Sequence, residues 1–256
     1  MARTIVFSNR KGGSGKTTTT VNVSFGLAYK GYNVLLIDTD PQGHSTISYG
    51  INLTNIKKDL SSVLLDNEDI EDCIVSTSIQ RLKILPATKR LTEFEKHFSA
   101  IRESRTILSE RINNILGKYD YVTFDTPPTL SLLTVSSLIA ANEIYIPMPT
   151  HFLAMEGLAE MVRLIYKINK LYNPKLKLKG IIPTFYREKT RLAREIISEI
   201  RENLGENIIL HPIRLNISLA EAPRYGKTIF QYQLNSHGAY DYYRLTEQIE
   251  KIENGK

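Results

Sequence analysis

A single cysteine, Cys73, stands in 256 residues. It cannot close an internal disulfide, and alone it cannot hold an iron–sulfur cluster or a structural zinc, so a reducing compartment is expected. The histidines His44, His97, His151, His211 and His237 lack the short spacings of metal ligands, and none is assigned a site. No run approaches the ~18 apolar residues of a membrane span. The opening MARTIVFSNRKGG turns basic and glycine-rich after about five residues, too early for a signal peptide, which points to the cytoplasm. Internal repeats, low-complexity tracts and linkers are missing too, which leaves one domain over residues 1–256.

What is present has the balance of an ordinary globular chain, 42% hydrophobic and 23% charged. The net charge of +6 is unevenly placed. Between Arg163 and Lys227 there are 14 Lys and Arg against 6 Glu, so the remainder is slightly acidic. Such segregation suggests a polyanionic partner for the C-terminal half.

Short apolar, β-rich runs alternate with stretches of helical period. Strands are predicted at Thr4–Ser8, Val34–Asp38, Leu82–Leu85, Tyr121–Asp125, Ile144–Met148, Leu178–Thr184 and Ile208–Leu210, and helices at Lys16–Lys30, Arg102–Leu116, Leu130–Ala140, Ala154–Leu171, Glu188–Leu204 and Tyr240–Glu253. This is the pattern of an α/β fold, a mostly parallel twisted sheet flanked by helices on both faces. Ile51–Thr77 is short, polar and weakly periodic, and yields no assignment.

Directly after the first strand comes Lys11-Gly12-Gly13-Ser14-Gly15-Lys16-Thr17-Thr18. The usual Walker A pattern wants a glycine where Arg10 stands, yet the physics of a phosphate loop survives. Three glycines let backbone N–H groups line a concave nest, the following helix adds its positive end, Lys16 supplies a point charge, and the Thr17 hydroxyl can ligate Mg²⁺. Asp38 and Asp40 close the second strand on one side of it, at the carboxyl edge where α/β sheets bind ligands, and Asp125 ends another strand. A carboxylate there either holds Mg²⁺ through water or caps a helix.

The second lysine, Lys11, marks a resemblance. With KGGSGKTTT, Asp38-Thr39-Asp40-Pro41-Gln42-Gly43, Asp125-Thr126-Pro127-Pro128 and Leu219-Ala220-Glu221-Ala222-Pro223 in this order, the sequence resembles the ParA/Soj partition ATPases, deviant Walker A members of the P-loop ATPases. The resemblance implies ATP and Mg²⁺ as cofactors, Asp40 as a switch residue near the γ-phosphate and attacking water, and Asp125 at a Mg²⁺-bound water. It implies that Lys11 reaches across a nucleotide-sandwich homodimer to the partner's phosphates. It further implies slow intrinsic hydrolysis stimulated by a ParB-like centromere-binding protein, non-specific double-stranded DNA as a second partner, and a nucleoid-associated location in the cytoplasm. Asn216 corresponds to an adenine contact.

On a helical wheel of residues 188–204, Leu192, Ala193, Ile196, Ile197, Ile200 and Leu204 share an apolar arc, with Arg187, Arg191, Arg194 and Arg201 opposite. These arginines either neutralise DNA phosphates or pair with Glu188, Glu195, Glu199 and Glu202 along a solvated helix. Lys189 matches a DNA-binding position of the family, whereas Ser218 stands where the family usually has arginine. Lys189, Arg191, Arg194 and Arg224 are therefore the expected DNA contacts.

A related positioning ATPase resembling MinD is the alternative, with a membrane or protein-cluster cargo. The final segment Thr246–Glu253 is mostly acidic on its polar face, which an anionic bilayer would repel, so no membrane partner is expected. A relative of the nitrogenase iron protein needs two cysteines per subunit for its cluster, and this chain has one. Only three residues precede the first strand, so no helix-turn-helix for operator binding is expected ahead of it. Tyr240, Tyr242 and Tyr243 are read as packing residues of a C-terminal amphipathic helix.

Overall fold

The computed structural model describes residues 2–151, 154–187 and 190–252. Its strands are β1 (Arg3–Phe7), β2 (Val34–Asp38), β3 (Val75–Ser76), β4 (Leu82–Leu85), β5 (Tyr121–Asp125), β6 (Glu143–Pro149) and β7 (Lys177–Thr184). They form one sheet in the order β3-β4-β2-β5-β1-β6-β7, parallel except for the short β3 at its edge. The mostly parallel α/β architecture read from the sequence is therefore the observed one.

Alternation along each strand sends side chains into two separate apolar layers. Val6, Leu35, Ile37, Val122, Phe124, Ile144 and Ile146 enter one; Ile5, Phe7, Val34, Leu36, Tyr121 and Tyr145 enter the other. Because both faces are covered, the central strands are buried throughout.

The helices are α1 (Lys16–Tyr29), α2 (His44–Ser48), α3 (Leu60–Leu65), α4 (Ile70–Cys73), α5 (Leu91–Phe98), α6 (Ile107–Asn113), α7 (Leu132–Ala140), α8 (Ala154–Leu171), α9 (Arg191–Leu204), α10 (Ile217–Glu221), α11 (Ile229–Tyr232) and α12 (His237–Lys251). Helices α3 to α9 cover the first layer, and α1, α11 and α12 the second. Two polar ties fix α1 beneath the C-terminal helices. The Tyr242 and Thr19 hydroxyls lie 3.1 Å apart, and Asn22 accepts from the Ile229 N–H at 2.9 Å.

Several sequence expectations need correction. Ile208–Leu210 is no strand: a 3₁₀ turn occupies Glu206–Ile208, and only Ile209 bridges Ile181. The segment runs on beside β7, with the Ile213 N–H donating to the Pro183 carbonyl, but no regular ladder forms because the His211 N–H is donated to Gln248 and Pro212 cannot donate at all. The helix expected over Arg102–Leu116 is broken into a 3₁₀ turn at Glu103–Arg105, α6, and another 3₁₀ turn at Leu116–Lys118. Ser104 marks the first of these interruptions, its hydroxyl donating to the carbonyls of Phe98 and Ile101 just ahead of the segment. Helix α7 starts two residues late because Ser131 caps it, and α12 starts early because Ser236 does. Leu192 projects into solvent, 43% exposed, outside the apolar arc assigned to it. Tyr242 is buried as expected, whereas Tyr240 and Tyr243 are exposed.

Candidate active site

The β1–α1 loop ends in Gly15, whose φ of +89° is a left-handed conformation that residues with a Cβ rarely adopt. A Cβ there would also lie 3.3 Å from the Thr184 methyl. No side chain caps α1, so its first-turn N–H groups remain available to an anion. The Thr184 hydroxyl donates to the Ser14 carbonyl at 2.9 Å and pins the loop to the end of β7. The buried Ser14 hydroxyl has no hydrogen-bond partner among the described residues. Gly12 and Gly13 are exposed at the loop's rim, and Thr17 and Thr18 are half-buried behind it.

Lys16 is buried, and its Nζ donates to the Lys11 carbonyl at 3.3 Å. Burial pulls its pKa down, opposed by the negative charges of Asp125 and Asp40. Asp125 is buried at the end of β5, accepting from Ser45 at 2.7 Å and Thr20 at 3.4 Å. Burial pushes it up to about 6, an effect the Ser45 and Thr17 hydroxyls and Lys16 resist and the Asp40 charge adds to. Burial thus disfavours the charge on both Lys16 and Asp125, and their mutual attraction opposes it.

Asp38 departs from its expected place beside Asp40 as a ligand-facing residue. Its carboxylate accepts from the Thr46 N–H at 2.9 Å, the Thr46 hydroxyl at 2.8 Å and the Asp40 N–H at 3.1 Å, so it braces the β2–α2 loop. Asp40 is left at the loop's mouth, where its Oδ1 accepts from the Gln42 N–H at 2.9 Å. Among the described residues no group of three His, Cys, Asp or Glu side chains forms a metal cage. Thr17, Asp40 and Asp125 present the few hard oxygen donors that suit Mg²⁺, which keeps waters and phosphate oxygens in its remaining positions.

Lys11 lies outermost. Its ammonium donates to His151 Nε2 at 2.8 Å. Beside it Arg10 pairs with Glu160 of α8 at 2.5 Å, and the buried Asn9 links the Lys11 N–H to the Pro147 carbonyl.

The base-side segment and the basic helix are less concentrated. Asn216 accepts from the Ser218 N–H at 2.9 Å and so caps α10. Lys189 lies outside the described residues. Arg191, 88% exposed, pairs with Glu195 at 2.6 Å, as the solvated-helix alternative required, while Arg194 and Arg224 are exposed. Arg194 lines a cleft of about 670 Å³ between α9 and α12, together with Arg201, His211, Arg244 and Lys251. Arg214 turns inward, its guanidinium 2.6 Å from the buried Asp241.

Sequence reasoning missed His151, Ser45, Thr184, Asn9 and the α12 cations Arg244 and Lys251. Ser45 follows a recognised motif at a distance where a second contact to Asp125 could have been sought. The others depend on partners more than 100 residues away, or on a helix face, and no local pattern marks them.

A family model described as an AAA domain matches residues 2–178. The sporulation initiation inhibitor protein Soj of Bacillus subtilis is 33% identical over 249 residues, which covers 97% of this chain and 98% of that protein. The chromosome-partitioning ATPase Soj of Thermus thermophilus is 36% identical, covering 96% and 95%. Among solved structures, one from Mycobacterium smegmatis, described as cobyrinic acid a,c-diamide synthase with bound ATP analogue and magnesium, superposes with a TM-score of 0.86 at 27% identity, covering 100% of this chain and 98% of that one.

Proposed function

This chain belongs to the Soj and ParA family of chromosome-partitioning ATPases, and on that footing we propose a Mg²⁺-dependent ATPase that cycles between a free monomer and an ATP-sandwich homodimer bound to DNA. A ParB-like centromere-binding partner stimulates hydrolysis and resets the cycle. The dimer holds double-stranded DNA without reading its sequence, which gives the protein its nucleoid location.

The observation that carries this reading is the convergence of Lys16, Thr17, Asp40 and Asp125 on a loop whose buried Ser14 hydroxyl has no partner among the described residues. A triphosphate fits that donor set. The N–H groups from Gly12 to Thr18 would take phosphate oxygens, Lys16 would regain a counter-ion, and Thr17, Asp40 and Asp125 would hold Mg²⁺ directly or through water. When bound, Mg²⁺ supplies charge neutralisation on the phosphate oxygens. Asp40 orients water at the loop's mouth, and Lys11 serves the neighbouring protomer's phosphates. Asn216, at the N-terminus of α10, is the base-side contact.

Catalysis rests on positioning and charge, and the unstimulated rate is slow, below about one turnover per second. The DNA surface comprises Lys189, Arg191, Arg194 and Arg224, with the α9–α12 cleft extending it.

DNA retardation compared with ATP, with ADP and without nucleotide tests the cycle. ATP should produce retardation that ADP does not, and adding the ParB-like partner should raise phosphate release. Retardation indifferent to nucleotide would reject the scheme.

A further inference from the structure

We infer that His151 is a positioning residue for Lys11. As a neutral imidazole it holds the loop ammonium inside its own protomer, and the lysine must leave this acceptor before it can serve a neighbouring site. The inference rests on the dimer reading of Lys11 given above.

Backbone geometry places the two side chains before they touch. The Asn9 amide, buried between the loop and β6, donates to the Pro147 carbonyl and accepts from the Lys11 N–H. This turns the loop toward the β6–α8 connection. His151 is fixed there by its own backbone: its N–H donates to the Pro149 carbonyl at 3.0 Å, and its carbonyl accepts from Ala154, the first residue of α8, at 2.9 Å. The ammonium then meets Nε2 at 2.8 Å, which requires Nε2 to be unprotonated and the Nδ1–H tautomer to be present.

The neighbouring pair shows how unusual this acceptor is. Arg10 and Lys11 are consecutive cations, yet Arg10 receives a carboxylate, Glu160 of α8, and Lys11 an imidazole from the connection before that helix. A carboxylate keeps its charge throughout the neutral range; an imidazole does not. Once protonated, His151 has no lone pair to offer and becomes a second cation facing Lys11. The other charged groups on these elements are Arg10 and Lys16 in the loop, and Glu156, Glu160, Arg163, Lys167 and Lys170 on α8, of which Glu160 is already paired with Arg10. The hold is therefore strong enough to place the lysine and weak enough to release it. Because closing a dimer takes two lysines off two histidines, the effect enters the dimer constant twice. A partly exposed charged hydrogen bond worth about three- to fivefold per lysine gives about tenfold or more per dimer.

The test is sedimentation of the full chain with Mg²⁺ and a non-hydrolysable ATP analogue at about pH 6 and about pH 8, spanning the range in which histidine titrates. Wild type should dimerise about tenfold more tightly at the lower pH. His151→Gln keeps a neutral acceptor at both and should match wild type at the higher pH while losing the difference. His151→Ala should dimerise tightly at both, and its unfolding temperature establishes that it is folded. Parallel pH dependence in wild type and His151→Gln, or a weaker dimer in His151→Ala at the higher pH, would overturn the role. Wild type that stays monomeric throughout would reject the dimer reading. Nitrogen NMR of the imidazole then separates the two: an unprotonated Nε2 that responds to Lys11→Ala shows the hold itself, and an Nε2–H tautomer rejects it.

Discussion

Asp38 and Asp125 stand opposite each other in the parallel register of β2 and β5, but their carboxylates turn to different tasks. Asp38 accepts from the Thr46 N–H and hydroxyl and from the Asp40 N–H, while among the described residues the Asp125 carboxylate accepts from hydroxyls. Both are pushed up, Asp38 first by burial and then by the Asp125 charge, Asp125 by burial to about 6.

Substitution should separate the two. Asp38→Asn turns an amide nitrogen toward backbone donors and should cost about 1–3 kcal/mol. Asp125→Asn should leave the nucleotide-free protein as stable as wild type or more so, since a folded pKa near 6 above the unfolded ~3.9 means that ionisation opposes folding. That penalty is absent below about pH 4, grows to about pH 6 and then stays constant, so the advantage of Asp125→Asn should appear over the same window. Thermal unfolding against pH measures it. The same variant should lose the thermal shift given by Mg²⁺ and ATP, and an unaltered shift would remove Asp125 from the site.

Arg214 illustrates how a basic residue beside a binding motif can serve the fold instead. It donates to Asp241 through its side chain and its backbone N–H, and stacks over Tyr240, while His211 approaches the same carboxylate at 3.4 Å. Burial alone would raise the Asp241 pKa, but the bonds from His211 and Arg214 outweigh it and bring it below the usual range. The resulting stabilisation is present above the unfolded pKa of ~3.9 and is lost as pH falls through the lower folded value. Asp241→Asn should cost about 2–4 kcal/mol at neutral pH, with the deficit shrinking below about pH 4. Equal deficits at neutral and acid pH would contradict this account.

The sheet and the phosphate loop were legible because they depend on short-range patterns. β2, β4, β5 and α8 begin and end where hydrophobic period and polar punctuation place them, and KGGSGKT carries its chemistry within seven residues. Long-range geometry was not legible. No pattern says that Asp125 meets Ser45 or that Lys11 meets His151, because each depends on how the sheet stacks segments far apart in sequence; the Asp38 brace to Asp40 and Thr46 is close in sequence but carries no periodic signal. The weakly periodic Ile51–Thr77 hides α3 and α4, too short to show a period and defined by the aspartate caps Asp59 and Asp69.

Phosphate contacts at the basic surface have a signature distinct from stability. Alanine at Arg191, Arg194 or Arg224 should each reduce the slope of log affinity against log salt by about one, across DNA sequences alike. Unfolding should change by less than ~0.5 kcal/mol, since the Arg191–Glu195 pair is exposed and contributes little. Fluorescence anisotropy at several salt concentrations gives the slope. If all three variants keep the wild-type slope, α9 is a solvated helix and the interface lies elsewhere.

Gly50 and Gly226 join the two halves of the site through bare backbone. Both lie in the left-handed region, with φ of +75° and +60°, and a Cβ on Gly226 would fall 2.5 Å from the Gly50 Cα and 2.9 Å from its nitrogen. Neither atom can swing aside as a side chain would. Gly226→Ala must therefore push the Ala222–Tyr225 turn away from α2, at a cost of about 2–4 kcal/mol, or an unfolding temperature lower by about 4–16 °C. Gly31→Ala shares the positive φ, +99°, but its Cβ meets open space, so it should cost only the backbone strain of about 1 kcal/mol. The difference between the two isolates the close approach. Because α2 carries Ser45 and Thr46, which hold Asp125 and Asp38, the Gly226→Ala shift should also weaken ATP binding, and Gly31→Ala should leave it unchanged. Titration with a fluorescent ATP analogue compares them, and equal affinity in the two variants would show that α2 is positioned without the turn.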